Sequence, residues 1–151
     1  MVILKDSMII GFISGCIGGI AMNVVDWIGY LVGFHDERLL DWGAVTIFGR
    51  LANNLPEAIF AQVGQILFGG LVGILYTLVI LKLAAGNHPI KGWIYGFLTW
   101  FFIYSISIMY DLPHMDTHES VSIPVTHFLS ASTYGLVLGL TIDWIEKKTG
   151  T

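Results

Sequence analysis

The sequence predicts an all-α fold, an integral membrane four-helix bundle, and three observations predict it. Four apolar stretches are each about long enough to cross a bilayer, the chain is 55% hydrophobic and only 12% charged, and its cations sort to one side of those stretches. With a mean hydropathy of +0.75, a soluble domain of 151 residues would lack polar material to cover its surface, so lipid must solvate it. The length suits one domain over residues 1–151 whose core forms between helices.

The first span is read from about Met8 to Phe34. The second runs from about Ala58 to Leu81, after Pro56, a residue that suits the first turn of a helix. A breaker of Gly86, Asn87, His88 and Pro89 precedes the third span, from about Gly92 to Tyr110, and the fourth runs from about Val121 to Ile145. Lys5, Lys82, Lys91, Lys147 and Lys148 all fall on one side, and only Arg38 and Arg50 on the other. That bias predicts that both termini of a multi-pass cell-membrane protein face the cytoplasm. The opposite side collects Asp36, Glu37, Asp41, Glu57, Asp111, Asp116 and Glu119 and is expected to be acidic.

The net charge of −4 and a pI near 5.6 argue against nucleic acid as a partner. One cysteine, Cys16, forms no intrachain disulfide. Ile13, Ser14, Gly15 and Cys16 have the small-residue pattern of a lipidation signal, but the apolar run continues well past Cys16, which favours a packing residue.

Between the first two spans, Leu40, Ala44, Ile47, Phe48 and Leu51 recur at helical spacing within a segment from Asp36 to Leu55, with Asp36, Glu37, Asp41 and Arg50 mostly on other faces. This predicts an interfacial helix, weakened by Gly43 and Gly49, with an irregular cap as the alternative. No internal repeat supports an inverted-repeat transporter.

Glycine recurs at every fourth position: Gly11, Gly15 and Gly19 on the first span, Gly69 and Gly73 on the second, Gly92 and Gly96 on the third, Gly135 and Gly139 on the fourth. Such faces let helix backbones approach closely, within one chain or between the protomers of a homo-oligomer or larger complex.

Polar residues inside the spans need partners or water. At a rise of about 1.5 Å per residue, Asn23 and Asp26 lie roughly 12 to 17 Å inside the outer end, Gln62 and Gln65 about 6 to 11 Å, His127 and Ser130 about 9 to 14 Å, and Tyr104 and Ser107 about 5 to 9 Å. Each pair is spaced i, i+3 and shares a helix face. A common outer polar chamber is one reading, with Asp26 and His127 near enough in height to share a proton; a purely structural hydrogen-bonded network is the other.

Asp111, His114, Asp116, His118 and Glu119 crowd one outer loop, with Met109 and Met115 beside them and His35 and Asp36 available from the facing side. Imidazole and carboxylate form the ligand set of zinc and related divalent ions, and His114 and His118 share a face if the loop is helical. No His-Glu-x-x-His or Cys-x-x-Cys pattern accompanies them, and His88 belongs to the cytoplasmic turn. Haem between axial histidines is a further possibility, but only His127 lies within a span. Ser105, Ser130 and Ser132 make no serine, histidine and acid arrangement, so no catalytic residue is assigned.

The run Gly64, Gln65, Ile66, Leu67, Phe68, Gly69, Gly70 leading to Tyr76, then Lys91, Gly92, Trp93, Ile94, Tyr95, Gly96, and a final helix ending in Asp143, Trp144, Ile145, Glu146 resembles the small YqhR-like and YagU-like bacterial membrane proteins over about the last two-thirds of the chain. The resemblance implies a four-helix inner-membrane protein and transfers no catalytic residues. The sequence therefore leads to a non-enzymatic accessory or sensor subunit whose polar chamber binds a metal ion, a proton or a small polar ligand. A redox subunit holding haem or quinone and a structural assembly protein are the alternatives.

Overall fold

The computed structural model describes residues 7–80, 87–109 and 121–149. Within them the chain is helical, with no strand among the described residues: α1 (Ser7–Leu31), α2 (Leu39–Phe48), α3 (Leu55–Leu75), α4 (His88–Met109) and α5 (Ser122–Thr149). Three segments, Ser7–Leu31, Leu55–Val79 and Ser122–Lys148, are long and apolar enough to cross a membrane. Side chains such as Ile20, Val24, Ile28, Phe60, Leu67, Leu71, Phe101, Phe102 and Leu140 are exposed along the helices, the pattern of a surface solvated by lipid.

α1 and α5 form the centre. α3 packs on α1, α5 packs on the rest of α1, and α4 packs on α5, while α2 lies against α3. The glycine faces explain the closeness of two of these contacts. A Cβ on Gly15 would meet the Gly69 carbonyl and the Gly70 and Gly73 backbone, and one on Gly73 would meet Gly11 and Gly15. Gly92 and Gly96 meet Gly135, Gly139 and Ala131 in the same reciprocal way, and Gly139 meets His88 and Pro89. Gly19 is less pressed, with its nearest neighbours 3.5 Å away on Ile66. The third and fourth glycine faces are thus occupied within one chain.

Tyrosines tie the helices further. Tyr134 Oη donates to the Gly69 carbonyl at 2.7 Å and Tyr95 Oη to the Val72 carbonyl at 2.8 Å, joining α5 and α4 to α3. Immediately beyond, α3 widens into a π-helical turn over Tyr76–Ile80, which no sequence signal predicted. Tyr76 and Tyr134 belong to a core with Ile10, Val72, Leu138, Ile142 and Ile145, away from α2. A second core of Leu40, Ala44 and Ala61, with Trp27, Phe48 and Ala58 against it, lies beneath α2.

Helix ends depart from the expected bounds for local reasons. α1 stops at Leu31 rather than Phe34, because Gly33 (φ 74°) takes the left-handed conformation of a Schellman motif: its N–H donates to Tyr30 and that of Phe34 to Gly29, each at 3.0 Å. α3 starts at Leu55, three residues before Ala58, because the Asn54 side chain caps the Glu57 N–H at 3.0 Å with Pro56 in the first turn. The breaker is shorter than expected, since α4 begins at His88 with Pro89 in its first turn and His88 Nε2 3.1 Å from Glu146.

The segment between the first two spans is helical only over Leu39–Phe48. Its expected apolar face is corrected at one position: Leu51 lies beyond the left-handed cap at Gly49 (φ 70°), outside the helix. Asp41, placed on the polar face by spacing, is buried. It reaches back as N3 to accept the Arg38 backbone N–H at 2.9 Å and pairs with the guanidinium at 2.9 and 3.0 Å. Gly43 lets α2 approach the Ala61 carbonyl of α3.

Candidate functional site

With the observed helix ends, Asp26, Tyr104 and His127 each lie about 8 Å from the α2 end of their helices, Asn23 and Ser130 about 12 Å, and Gln62 and Gln65 about 10 to 15 Å. The described polar residues gather in two groups.

The first is an amide ladder between α1 and α3. Asn23 Nδ2 donates to the Gly19 carbonyl at 2.8 Å, Gln62 Nε2 donates to Asn23 Oδ1 at 2.8 Å and to Gln65 Oε1 at 3.1 Å, and Trp27 Nε1 approaches Gln62 Oε1 at 3.5 Å. These groups largely satisfy one another, so the ladder fixes the register of α1 against α3. The groove outside it, lined by Ile20, Val24, Ile28 and Ile66 beside the amides, is open and apolar.

The second group lies between α1, α2 and α5. Asp26 is wholly buried; its Oδ2 accepts the Leu39 N–H, the first residue of α2, at 2.8 Å. Its Oδ1 has no hydrogen-bond partner among the described residues and lies 3.9 Å from His35 Nε2. His35, 3% exposed, is offered by the sequence as a facing ligand for the outer loop. The Schellman turn instead folds it back over α1, where Nε2 is 3.2 Å from the Asp26 carbonyl and Nδ1 contacts the Glu37 carbonyl. Gly29 makes the space, since a Cβ there would lie 2.7 Å from His35 Nε2.

His127 is 4% exposed, with Nε2 unpartnered among the described residues, as is the Ser130 hydroxyl one turn further along α5. Trp42 stands edge-on to the His127 ring at 5.1 Å and stacks on Tyr104 at 6.1 Å, and Tyr104 stacks in turn on Trp100 at 5.6 Å. No hydrogen bond joins Asp26 to His127 among the described residues; the carboxylate instead meets the Leu39 amide and His35, both brought to it by the chain that follows α1. His35 is in turn close enough to act electrostatically on both Asp26 and His127.

Arg38 closes the compartment. Its guanidinium lies 5.4 Å from the Trp27 ring centroid and 5.0 Å from that of Tyr30, and its hydrogen bonds to Asp41 raise its pKa above the ordinary arginine value. Arg50 is likewise bound by Glu57, at 2.7 and 3.1 Å, so the two arginines each neutralise one carboxylate of the acidic side.

Asp111, His114, Asp116, His118 and Glu119 lie outside the described residues, and so does the side chain of Ser107. Among the described residues no three histidine, cysteine or acid side chains gather as a metal site. Trp42 and Gly29 are the site residues that sequence reasoning missed, and it assigned His35 to the outer loop rather than to Asp26. Gly33, a turn former just past an apolar run, was the available signal for the return of His35.

No curated protein and no solved structure matches the chain. A model of a family of unknown function, DUF6789, matches residues 5–151, and the chain belongs to that family.

Proposed function

We propose that the protein is a multi-pass membrane protein of four spans, with both termini cytoplasmic, whose compartment beneath α2 takes up a proton or a small polar ligand. It serves as a sensor or accessory subunit rather than as an enzyme. The observation that carries this reading is Asp26: a buried carboxylate with one oxygen on the α2 backbone and the other beside a buried imidazole, with His127 Nε2, unpartnered among the described residues, in the same layer. Buried groups of this kind call for a proton, water or ligand to complete them.

Support for α4 as the fourth span comes from its 22 residues and from the exposed Trp93, Ile94, Phe97, Leu98, Phe101 and Phe102 along it. The resemblance to YqhR-like and YagU-like proteins agrees with four helices. The assembly reading loses its main support because the glycine faces are filled within the chain. The haem reading is weakened by Trp42 and Tyr104, which crowd the His127 ring.

Reporter fusions at Thr151 and within the segment 111–120 are expected to give opposite signals, and matching signals would overturn the topology. Proton uptake by the purified protein in unbuffered detergent is expected to be reduced in Asp26→Asn with the helical fold retained, since an amide keeps the shape, still accepts the Leu39 N–H and removes the charge. Identical uptake by wild type and variant, with no added zinc bound by either, would sink the compartment as a binding site. A Soret band in the purified protein would favour the redox alternative.

A further inference from the structure

We propose that His35 is a proton-binding site, and that the closed position of α2 over the end of α1 is the form in which its ring carries both protons. This rests on the reading above of a compartment that takes up a proton, and names the ligand and the group that holds it.

The argument is the complement of groups around the ring. Nε2 faces the Asp26 carbonyl at 3.2 Å and, at 3.9 Å, the Asp26 carboxylate; Nδ1 faces the Glu37 carbonyl. All three are acceptors. A neutral imidazole donates from one nitrogen and turns a lone pair outward from the other, so either tautomer sets a lone pair against a carbonyl oxygen. Only the doubly protonated ring donates on both sides, and its charge then offsets that of Asp26 in a compartment where either charge alone is costly. The ring is buried, so water does not relieve the mismatch.

Other charged or titratable groups of the compartment are Tyr30 on α1, at 6.4 Å between ring centroids from His35, Arg38 and Asp41, which pair with each other and lie close enough to act on Asp26, and His127 on α5, within electrostatic reach of His35.

The same contacts form a latch. His35 joins the last turns of α1, through Asp26, to the start of α2, through Glu37, and Asp26 holds the Leu39 amide of α2. The closed form binds one proton more than an open form with a neutral ring. Closure is therefore favoured at low pH and lost as pH rises through the ring's titration. With the termini cytoplasmic as proposed above, the latch stands on the opposite side of the membrane, where it reports a rise in pH as a loosened α2.

Nitrogen NMR of the full-length protein, labelled with 15N-histidine and 15N-leucine in lipid nanodiscs, tests this. At the low-pH end the His35 ring is expected to show two protonated nitrogens. As the second proton is lost, the Leu39 amide protection factor, corrected for intrinsic exchange, should fall at least roughly tenfold relative to Leu138, the size of one charge-assisted hydrogen bond. In His35→Gln that pH dependence should vanish. A His35 ring with one unprotonated nitrogen while Leu39 stays protected overturns the proposal, and this wild-type measurement stands even if the variant fails to fold. Should that occur while Asp26→Asn still reduces proton uptake, the latch falls and the compartment remains. If uptake is also indifferent to Asp26, both fall.

Discussion

Gly15→Ala is expected to destabilise the protein by about 1 to 3 kcal/mol, whereas Gly19→Ala, one turn further along the same face, is expected to be neutral or mildly stabilising. The two substitutions add the same methyl group to the same helix. At Gly15 that methyl meets the Gly69 carbonyl and, at 3.0 Å, the α-carbons of Gly70 and Gly73, so backbone opposes backbone and no side chain can swing aside. The helices must separate, and the lost contact extends to Gly11 against Gly73 and to the neighbouring core of Ile10, Val72 and Tyr76. At Gly19 the nearest atoms are 3.5 Å away, an ordinary contact, so replacing glycine within a helix brings its propensity gain of up to about 1 kcal/mol without a clash. Gly70→Ala falls between them, because what it meets are the Phe12 ring and Cys16 Sγ, which can move. Thermal unfolding of the three variants in one detergent measures the order. Equal losses at Gly15 and Gly19 would show that α1 and α3 do not pack as described.

That contrast marks how far the sequence could be read. Four-residue glycine spacing is local information, and it located the close helix faces because only glycine leaves a helix flat. It could not say that Gly15 is pressed and Gly19 is not, since that depends on where α3 crosses. Polar residues at i, i+3 located the layer near α2 for the same reason: periodicity fixes height and face. The pairing within the layer is tertiary. Asn23 found Gln62, whereas Asp26 found an imidazole nine residues and an amide thirteen residues later in the chain, both brought back by the Gly33 turn. The π turn after Leu75 falls where Tyr95 donates to Val72, a contact invisible to a reading of α3 by itself. Asp41 shows the limit most plainly, because a carboxylate on a short amphipathic helix reads as solvated until its neighbour Arg38 is seen to hold it at the cap.

His35→Ala is expected to cost about 3 to 5 kcal/mol, the usual penalty for leaving a buried charge without its partner. Asp26 Oδ1 is enclosed, and His35 holds the one basic side-chain nitrogen within 4 Å of it among the described residues, so removing the ring strands the carboxylate with only the Leu39 amide on its other oxygen. Size alone does not distinguish this loss from a packing defect, since His127→Ala also empties a buried ring site beside Trp42 and Tyr104. The background of Asp26→Asn does. With the charge already removed, His35→Ala no longer strands an ion, so the double variant should recover most of the His35→Ala loss. The cost of His127→Ala is a packing cost and should be nearly the same with Asp or Asn at position 26. Unfolding free energies of the wild type, the three single variants and the two double variants close both cycles. A coupling of Asp26 to His127 equal to or larger than that to His35 would reject the assignment of His35 as the partner, and would mean that the carboxylate turns toward α5 rather than toward the returning chain.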